Sequence, residues 1–568
     1  MHRHSWLQTL LIVVLVAGTG FLAAFFIDNV RTNPISSRAR AMGDAITDTI
    51  DSLANPNNFN QGDTANTASF ELPALVQKLQ TISKPWGSVT GLTMFRGSPT
   101  RTYYGTGPLP AEPQVIWRYP NATTPSGNKP MCMYSEAEGV TKEWCGSGWT
   151  GQPVVWERPD GITEVIFGAY DGAVHFLNAK TGEETRPAFQ TGDLIKGSVT
   201  LDPDGYPLLY FGSRDNKLRI LSLDNKNADG TFATPTELWV LNANEVKGMW
   251  NNDWDGNPVM INDVLFEGGE NSWFFAMKVN RSYKDVLDVH GKATGEKKVA
   301  IDPHIIFKMP VWNGELLSNI GDKMVSVEDS VTFFGNRVYF ANSGGRVLGL
   351  DISKVEEGIA PIVFDYWVGD DTDATIVVDD DGNLYIASEL ERNNAREAEL
   401  GQLMKLDPSK QKIVTQTVAA DGTITTQTEG DPYVWGVSVP KGKADKGGIW
   451  ATPALSGDYL YVTTHPGSLL TVNKNTGVVT DETYVGEHAW SSPIVIDNAD
   501  GAGTKKLLVG ICTNGGLEQF SLADPAKPVL TNKMPLASGA CIESTPAVWK
   551  GHIYVGTRDG YFYNFGEK

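Results

Sequence analysis

Positive charge is what this chain most lacks: 47 Lys and Arg face 67 Asp and Glu over 568 residues, a net charge of −20. A basic footprint for nucleic acid or anionic lipid headgroups is missing. Cysteine is scarce as well, four in all, with neither the C-x-x-C spacing of a metal site nor a C-x-x-C-H haem attachment. Histidines such as His175, His465, His488 and His552 show no H-x-x-x-H or comparable ligand spacing, so surface or structural roles are expected of them. No G-x-S-x-G, P-loop or dinucleotide fingerprint stands where its fold would require it. No residue is assigned a catalytic role on these grounds.

What is present is a globular, strand-forming composition. Hydrophobic residues make up 41 %, with 59 Gly, 16 Trp, 18 Tyr and 22 Phe, which suits many short strands joined by tight turns. After a tail of residues 1–5, Trp6 to Ile27 (WLQTLLIVVLVAGTGFLAAFFI) carries no charge and matches the ~20 residues of a membrane-crossing helix. A transmembrane anchor is expected there; a cleaved signal peptide is the other reading, although a cleavable apolar region is normally ~7–15 residues. Arg31, Arg38 and Arg40 after the segment outnumber Arg3 before it, which by the charge rule keeps the body in the cytosol. Against that, the cysteines fall into two local pairs, Cys132 with Cys145 and Cys512 with Cys541, as an oxidising compartment permits. The body is therefore expected on the extracytoplasmic side, with disulfides; buried free thiols are the alternative. Residues 28–84, rich in Asn, Thr, Ser, Ala and Asp, read as a flexible linker.

From about Trp149 onward the chain repeats itself. Each unit has Ser/Thr-x-Pro-apolar, a turn, an apolar Y/F-V-G strand, an x-Asp/Asn-Gly type of turn and another alternating strand. Asp171 and Asp215 lie 44 residues apart and Asn514 and Asp559 lie 45 apart, a spacing of one four-stranded blade. Such turns supply the positive φ of tight hairpins, and the alternating Val, Ile, Tyr and Phe let neighbouring sheets stack. Six units are clear and two are degenerate, from Asn257 and from Ala374, giving eight. The insertions Arg281 to Val299 and Glu389 to Leu400 read as solvated decoration. The last unit ends after three evident strands, and PQVIWRYP at Pro113 to Pro120 is a strand without a partner that would complete it. That exchange removes open sheet edges. Residues 85–568 are thus expected to form one all-β, eight-bladed β-propeller.

MFRGSPTRTYYGTGPLP at Met94 to Pro110 followed by VIWRYP, and IESTPAV at Ile542 to Val548 followed by IYVGTRDGYFY, resemble the pyrroloquinoline-quinone-like (quinoprotein alcohol-dehydrogenase-like) propellers. The resemblance implies eight PQQ-like repeats. It also implies one of two activities, since that family holds both PQQ- and calcium-dependent dehydrogenases and non-catalytic propellers that hold partners. The adjacent-cysteine ring of many of those dehydrogenases cannot form here, because no two cysteines are neighbours. The non-catalytic branch is favoured: a membrane-anchored binding or assembly scaffold with envelope protein partners and no cofactor. The alternative is a PQQ- and Ca-dependent dehydrogenase acting at the channel mouth.

Aligning the units on the inner-strand Pro brings Thr150, Lys196, Asp255, Glu328, Asp373, Trp450, Trp490 and Glu543 to one repeat position, with Trp149, Trp254 and Asp329 close by. Equivalent positions in a propeller form a ring, so these residues are expected around one mouth, suited to a planar ligand, a sugar, a peptide or a hard cation. Hydrated carboxylates and tryptophans packed between blades are the plainer reading. Asp253 and Asp255, within WNNDWDGN, are the candidate metal ligands, although such stretches are commonly turns. Lys196 beside Asp255 and Glu328 suggests an ion pair sooner than an acid–base couple.

Overall fold

The alternation of apolar residues along each unit has a two-sided consequence. In the strand Trp273–Lys278, Phe274 and Ala276 belong to one buried cluster while Phe275 and Met277 belong to the next. Each sheet is therefore apolar on both faces and needs a neighbour on each side. Stacking in a closed ring satisfies all of them at once.

The computed structural model describes residues 77–137, 139–148, 151–442 and 447–567, all within the unit Leu72–Lys568. The tail, the expected membrane segment 6–27 and the linker up to residue 76 lie outside the described residues, as do Trp149 and Thr150. No helix among the described residues is long and apolar enough to cross a membrane.

The described residues form eight sheets of four or five strands, with four two-stranded ribbons beside them. The first strands of blades 1 to 8 begin, from the channel outward, at Val154, Thr200, Val259, Thr332, Val377, Ala454, Ile494 and Ala547. Buried clusters lie between successive blades, and the cluster joining Val155 and Phe167 to Ala547 and Phe562 brings the last blade against the first. As expected, Pro113–Tyr119 pairs antiparallel with Phe562–Glu567 and forms the outer strand of blade 8. Its Trp117 lies on Phe562 and donates from Nε1 to the Ala179 carbonyl at 3.0 Å.

The segment leading into that strand does more than close the ring. Gly91–Leu92 adds to the inner edge of blade 1 and Gly105–Thr106 to the inner edge of blade 8. Between them the chain passes inside the ring, held by Leu201 N to Thr93 O at 2.8 Å from blade 2 and Phe333 N to Pro99 O at 2.9 Å from blade 4. Arg96 and Arg101, both fully buried, reach opposite walls. Arg96 donates to the carbonyls of Thr452, Pro453 and Pro493, and Arg101 to those of Val331 and Asn257. Both adopt left-handed backbone, φ 52 and 59. Even within the stretch read as linker, Leu79 is buried against blades 3 and 4.

Blades 3 and 5 carry the insertions. Blade 3 extends an exposed ribbon, Ser282–Leu287 with Ala293–Ala300. In blade 5, Glu389–Leu390 pairs with Gly447–Gly448, followed by a helix, Ala395–Leu400, and a ribbon of Lys412–Val418 with Ile424–Glu429. The blade 3 insertion is solvated along its ribbon but anchored at both ends: Arg281 pairs with Asp202, Asp204 and Asp263, and Val299 is buried in the cluster between blades 2 and 3. The blade 5 insertion is only partly solvated, because Glu389 is 3 % exposed and faces inward to other acids.

Candidate functional site

The segments that precede the inner strands, and the turns joining second and third strands, meet at one end of the channel. The Arg96–Arg101 plug occupies the channel beneath, touching residues further along the same segments. Among the described residues this end of the channel has two chemically different halves.

Blades 2 to 5 supply the acidic half. Lys196 forms ion pairs with Asp255 and, at 3.3 Å, with Glu270, whose other oxygen accepts from Asn251 Nδ2 at 2.8 Å. Arg214 Nε meets Asp253 Oδ2 at 2.5 Å. Burial pushes the Asp253 carboxyl up to about 6; Lys196 opposes this and Asp255 adds to it. Burial, with repulsion from Asp255, Glu328 and Asp253, holds Glu270 well above the carboxylate range. Burial works against the charge of Lys196, but Asp255 and Glu270 outweigh it and hold its proton firmly. Glu328 accepts from the hydroxyls of Ser326 at 2.7 Å and Ser343 at 3.3 Å. Asp329 accepts from Ala341 N at 3.1 Å and, with Glu267, faces the charge of Arg101 from above. Asp371, Asp373 and Glu389 form a second buried trio on blade 5. Burial pushes Asp371 up to about 8, with Glu328 adding repulsion.

Blades 6 to 8 supply an aromatic and histidine half. Trp450 and Trp490 stack with ring centroids 5.4 Å apart and planes at 17°. His488 covers the other side of Trp490 at 3.7 Å, and Trp490 Nε1 donates to His465 Nδ1 at 2.7 Å. His488 Nε2 meets Glu543 Oε1 at 2.9 Å, and Arg558 Nε lies 3.4 Å from Oε2 of the same carboxylate. Both expected disulfides are present. Cys512–Cys541 links blade 7 to the segment carrying Glu543. Cys132–Cys145 closes a hairpin whose Trp144 stands edge-on to Tyr170 of blade 1, with the guanidinium groups of Arg214 and Arg558 5.2 and 5.5 Å from its ring. That hairpin leans Trp144 over the mouth between blades 8 and 2.

The expected ring residues therefore divide. Lys196, Asp255, Glu328 and Asp373 lie in the acidic half, and Trp450, Trp490 and Glu543 in the aromatic one. Trp149 lies outside the described residues. Trp254 does not line the mouth: it is 1 % exposed and wedged between blades 2 and 3 beside Phe275, where Gly212 leaves room for it. The candidate metal ligands Asp253 and Asp255 already carry Arg214 and Lys196 as partners. Residues from adjacent blades meet, as Lys196 of blade 2 does with Asp255 and Glu270 of blade 3. Missing from the sequence reading were Glu270, Asp371, Glu389, Arg214 and Arg558. Glu270, Arg214, Arg558 and Glu389 sit in or beside connections joining second and third strands, and their presence at the mouth follows once those connections are recognised as facing the same end as the segments before the inner strands, where Asp371 lies.

The family resemblance implies a quinone and a calcium ion, and the two fare differently here. Carboxylates suited to a hard cation are present. A planar ring inserted between Trp450 and Trp490 would need the indoles about 7 Å apart, twice a stacking distance, whereas they already face each other directly and His488 fills the far side.

No family model matches the sequence, and no curated protein does. Among solved structures, the chain is similar to BamB from Moraxella catarrhalis, at 14 % identity and a TM-score of 0.44 over 80 % of this chain and 98 % of that one. It is also similar to the computationally designed Ika8 protein, at 10 % identity and a TM-score of 0.44 over 73 % and 95 %.

Proposed function

We propose that this chain is an extracytoplasmic binding propeller, held at the membrane by residues 6–27, that acts as an envelope scaffold by docking a partner on its one open mouth. The observation that carries this reading is the inequality of the two channel ends. One is sealed by the chain's own Arg96–Arg101 segment. The other keeps buried carboxylates opposite a Trp450–Trp490–His488 stack. Rigid sheets hold both halves in place, as pre-organised recognition requires. The paired disulfides support an oxidising compartment. Cationic groups of a partner suit the acidic half, and apolar or planar groups suit the aromatic half.

The test places a photo-crosslinker at Trp250 or Lys142, beside the mouth, and at Val289 or Asn475, away from it, in the full membrane-bound chain. Adducts to envelope proteins are expected from the first pair and not the second. Adducts confined to the second pair, or none from either, would overturn the reading. So would alcohol-dependent dye reduction by the chain supplied with quinone and Ca²⁺. That dehydrogenase reading has the carboxylates in its favour and the closed Trp450–Trp490 stack against it.

A further inference from the structure

The end of the propeller away from the mouth carries an apolar groove. Turns joining first and second strands, and connections joining third and fourth strands, meet at that end. Between blades 3 and 4 they enclose a cavity of about 300 Å³ lined by Ile261, Val264, Phe266, Ile352 and Val355. Leu79, which belongs to neither blade, lines it too and is 2 % exposed. The chain around Leu79 is tied to both walls. Gly335 N of blade 4 donates to Leu79 O at 3.3 Å. The Lys78 ammonium lies 4.9 Å from the ring of Trp86, whose Nε1 donates to Met260 O of blade 3 at 3.4 Å.

Gln77 and Lys78 are helical. Gln80 N and Thr81 N then close the turn on the carbonyls of Gln77 and Lys78, at 3.1 and 3.2 Å. The sequence just before has the spacing of one apolar helix face: Leu72, Leu75, Val76 and Leu79 stand at i, i+3, i+4 and i+7. Pro73 falls in the first turn, where a helix tolerates proline. The phase agrees with the described residues, since Gln77 and Lys78, off the stripe, are exposed and Leu79, its last member, is buried. A helix this short has no stability of its own in water. Helical backbone at Gln77 and Lys78 therefore requires packing, and the groove is the apolar surface that Leu79 already reaches.

We propose that Leu72–Leu79 is an amphipathic helix docked in this groove, with Leu72, Leu75 and Val76 seated beside Leu79 against blades 3 and 4. The helix fixes where the preceding chain leaves the propeller, at the end opposite the mouth. This docking stands independently of what binds at the mouth.

The experiment is amide hydrogen exchange of the full chain in detergent, read by mass spectrometry. Amides of Val76 to Leu79 are expected to exchange at least about 10-fold more slowly than in a synthetic peptide of residues 70–82, where the helix has nothing to dock on. Leu75→Asp with Val76→Asp abolishes that protection, and so does Ile352→Asp on the groove side. Ala74→Lys, on the opposite helix face, keeps it. Exchange of Phe562–Glu567, which reports the closed ring, stays unchanged in all of them. Exchange at Val76 to Leu79 as fast as in the peptide overturns the proposal. So does protection that survives Leu75→Asp with Val76→Asp, or that survives Ile352→Asp in an intact ring. Protection that grows with chain concentration gives the groove to a second copy and overturns it as well. Should Ile352→Asp disturb the ring, the Leu75→Asp, Val76→Asp chain, altered outside the blades, decides.

Discussion

Replacing Arg101 by Met tests whether the plug holds the ring together or merely fills it. The guanidinium donates to Val331 O from Nε at 2.9 Å and Nη2 at 2.8 Å, to Phe95 O at 2.9 Å, to Asn257 Oδ1 at 2.7 Å and to Asn257 O at 3.1 Å. Asn257 Oδ1 retains the Phe95 N–H as a donor, but the backbone carbonyls of Val331, Phe95 and Asn257 lose theirs, at ~1–3 kcal/mol for each buried group left unpaired. Glu267 and Asp329 are both buried and both face the charge of Arg101; removing one partner of a buried charge arrangement costs ~3–5 kcal/mol. These losses overlap, so the expected destabilisation is about 4–6 kcal/mol, read from urea unfolding followed by tryptophan fluorescence. Arg101→Lys recovers less than half, since one ammonium cannot span Val331 and Asn257 as the planar fork does. A midpoint for Arg101→Met within about 1 kcal/mol of the unaltered chain would refute the idea that the plug is structural.

Gly212→Ala places a Cβ 2.1 Å from Cβ of Trp254; overpacking of this kind costs ~1–3 kcal/mol, visible as a lowered urea midpoint. Asp253 carries a carboxyl raised by burial from 3.8 to about 6, so between those values the folded chain holds a proton that the unfolded chain has released. Stability from this group is complete below about pH 4 and is lost as pH rises to about 6, by on the order of 2–3 kcal/mol; Asp253→Asn flattens that part of the curve. Replacing Cys512 and Cys541 by Ser, 29 residues apart, lowers stability by about 3–4 kcal/mol on chain-entropy grounds. The unaltered chain should show no reactive thiol until reduced, and four afterwards.

The ring was legible because each blade repeats the same local physics. The Asp171 to Asp215 spacing counted strands, and the alternation of Phe274 and Phe275 between two interfaces required neighbours on both sides. Pro113–Tyr119 was legible by subtraction, as a strand lacking a partner beside a blade lacking a strand. The mouth was legible only where the repeat itself supplied the residue, as at Lys196, Asp255 and Glu328. Trp254 obeyed the repeat in position and departed from it in direction, because Gly212 opens a slot between blades that an indole fills. Glu389 departed in the opposite way. It lies in an insertion, where composition suggests solvent, yet its pairing with Gly448 turns it inward. The roles of Arg96 and Arg101 were invisible for a third reason: their partners are backbone carbonyls up to 397 residues away, and carbonyls leave no mark in a sequence.

Sealing one end and leaving the other charged has an energetic logic. Eight inner strands enclose a channel wider than their own side chains fill, and the chain answers at one end with backbone and two arginines whose hydrogen bonds are nearly complete. At the other end it keeps Asp253, Asp255, Glu270, Asp371, Asp373 and Glu389 under 10 % exposed, a condition that apolar packing would relieve at lower cost. Burial and mutual repulsion hold several of these carboxyls above their ordinary range, so the folded chain is less stable at neutral pH than it would be with apolar residues in their place. Ligands that bring positive charge to the mouth recover part of that difference on binding.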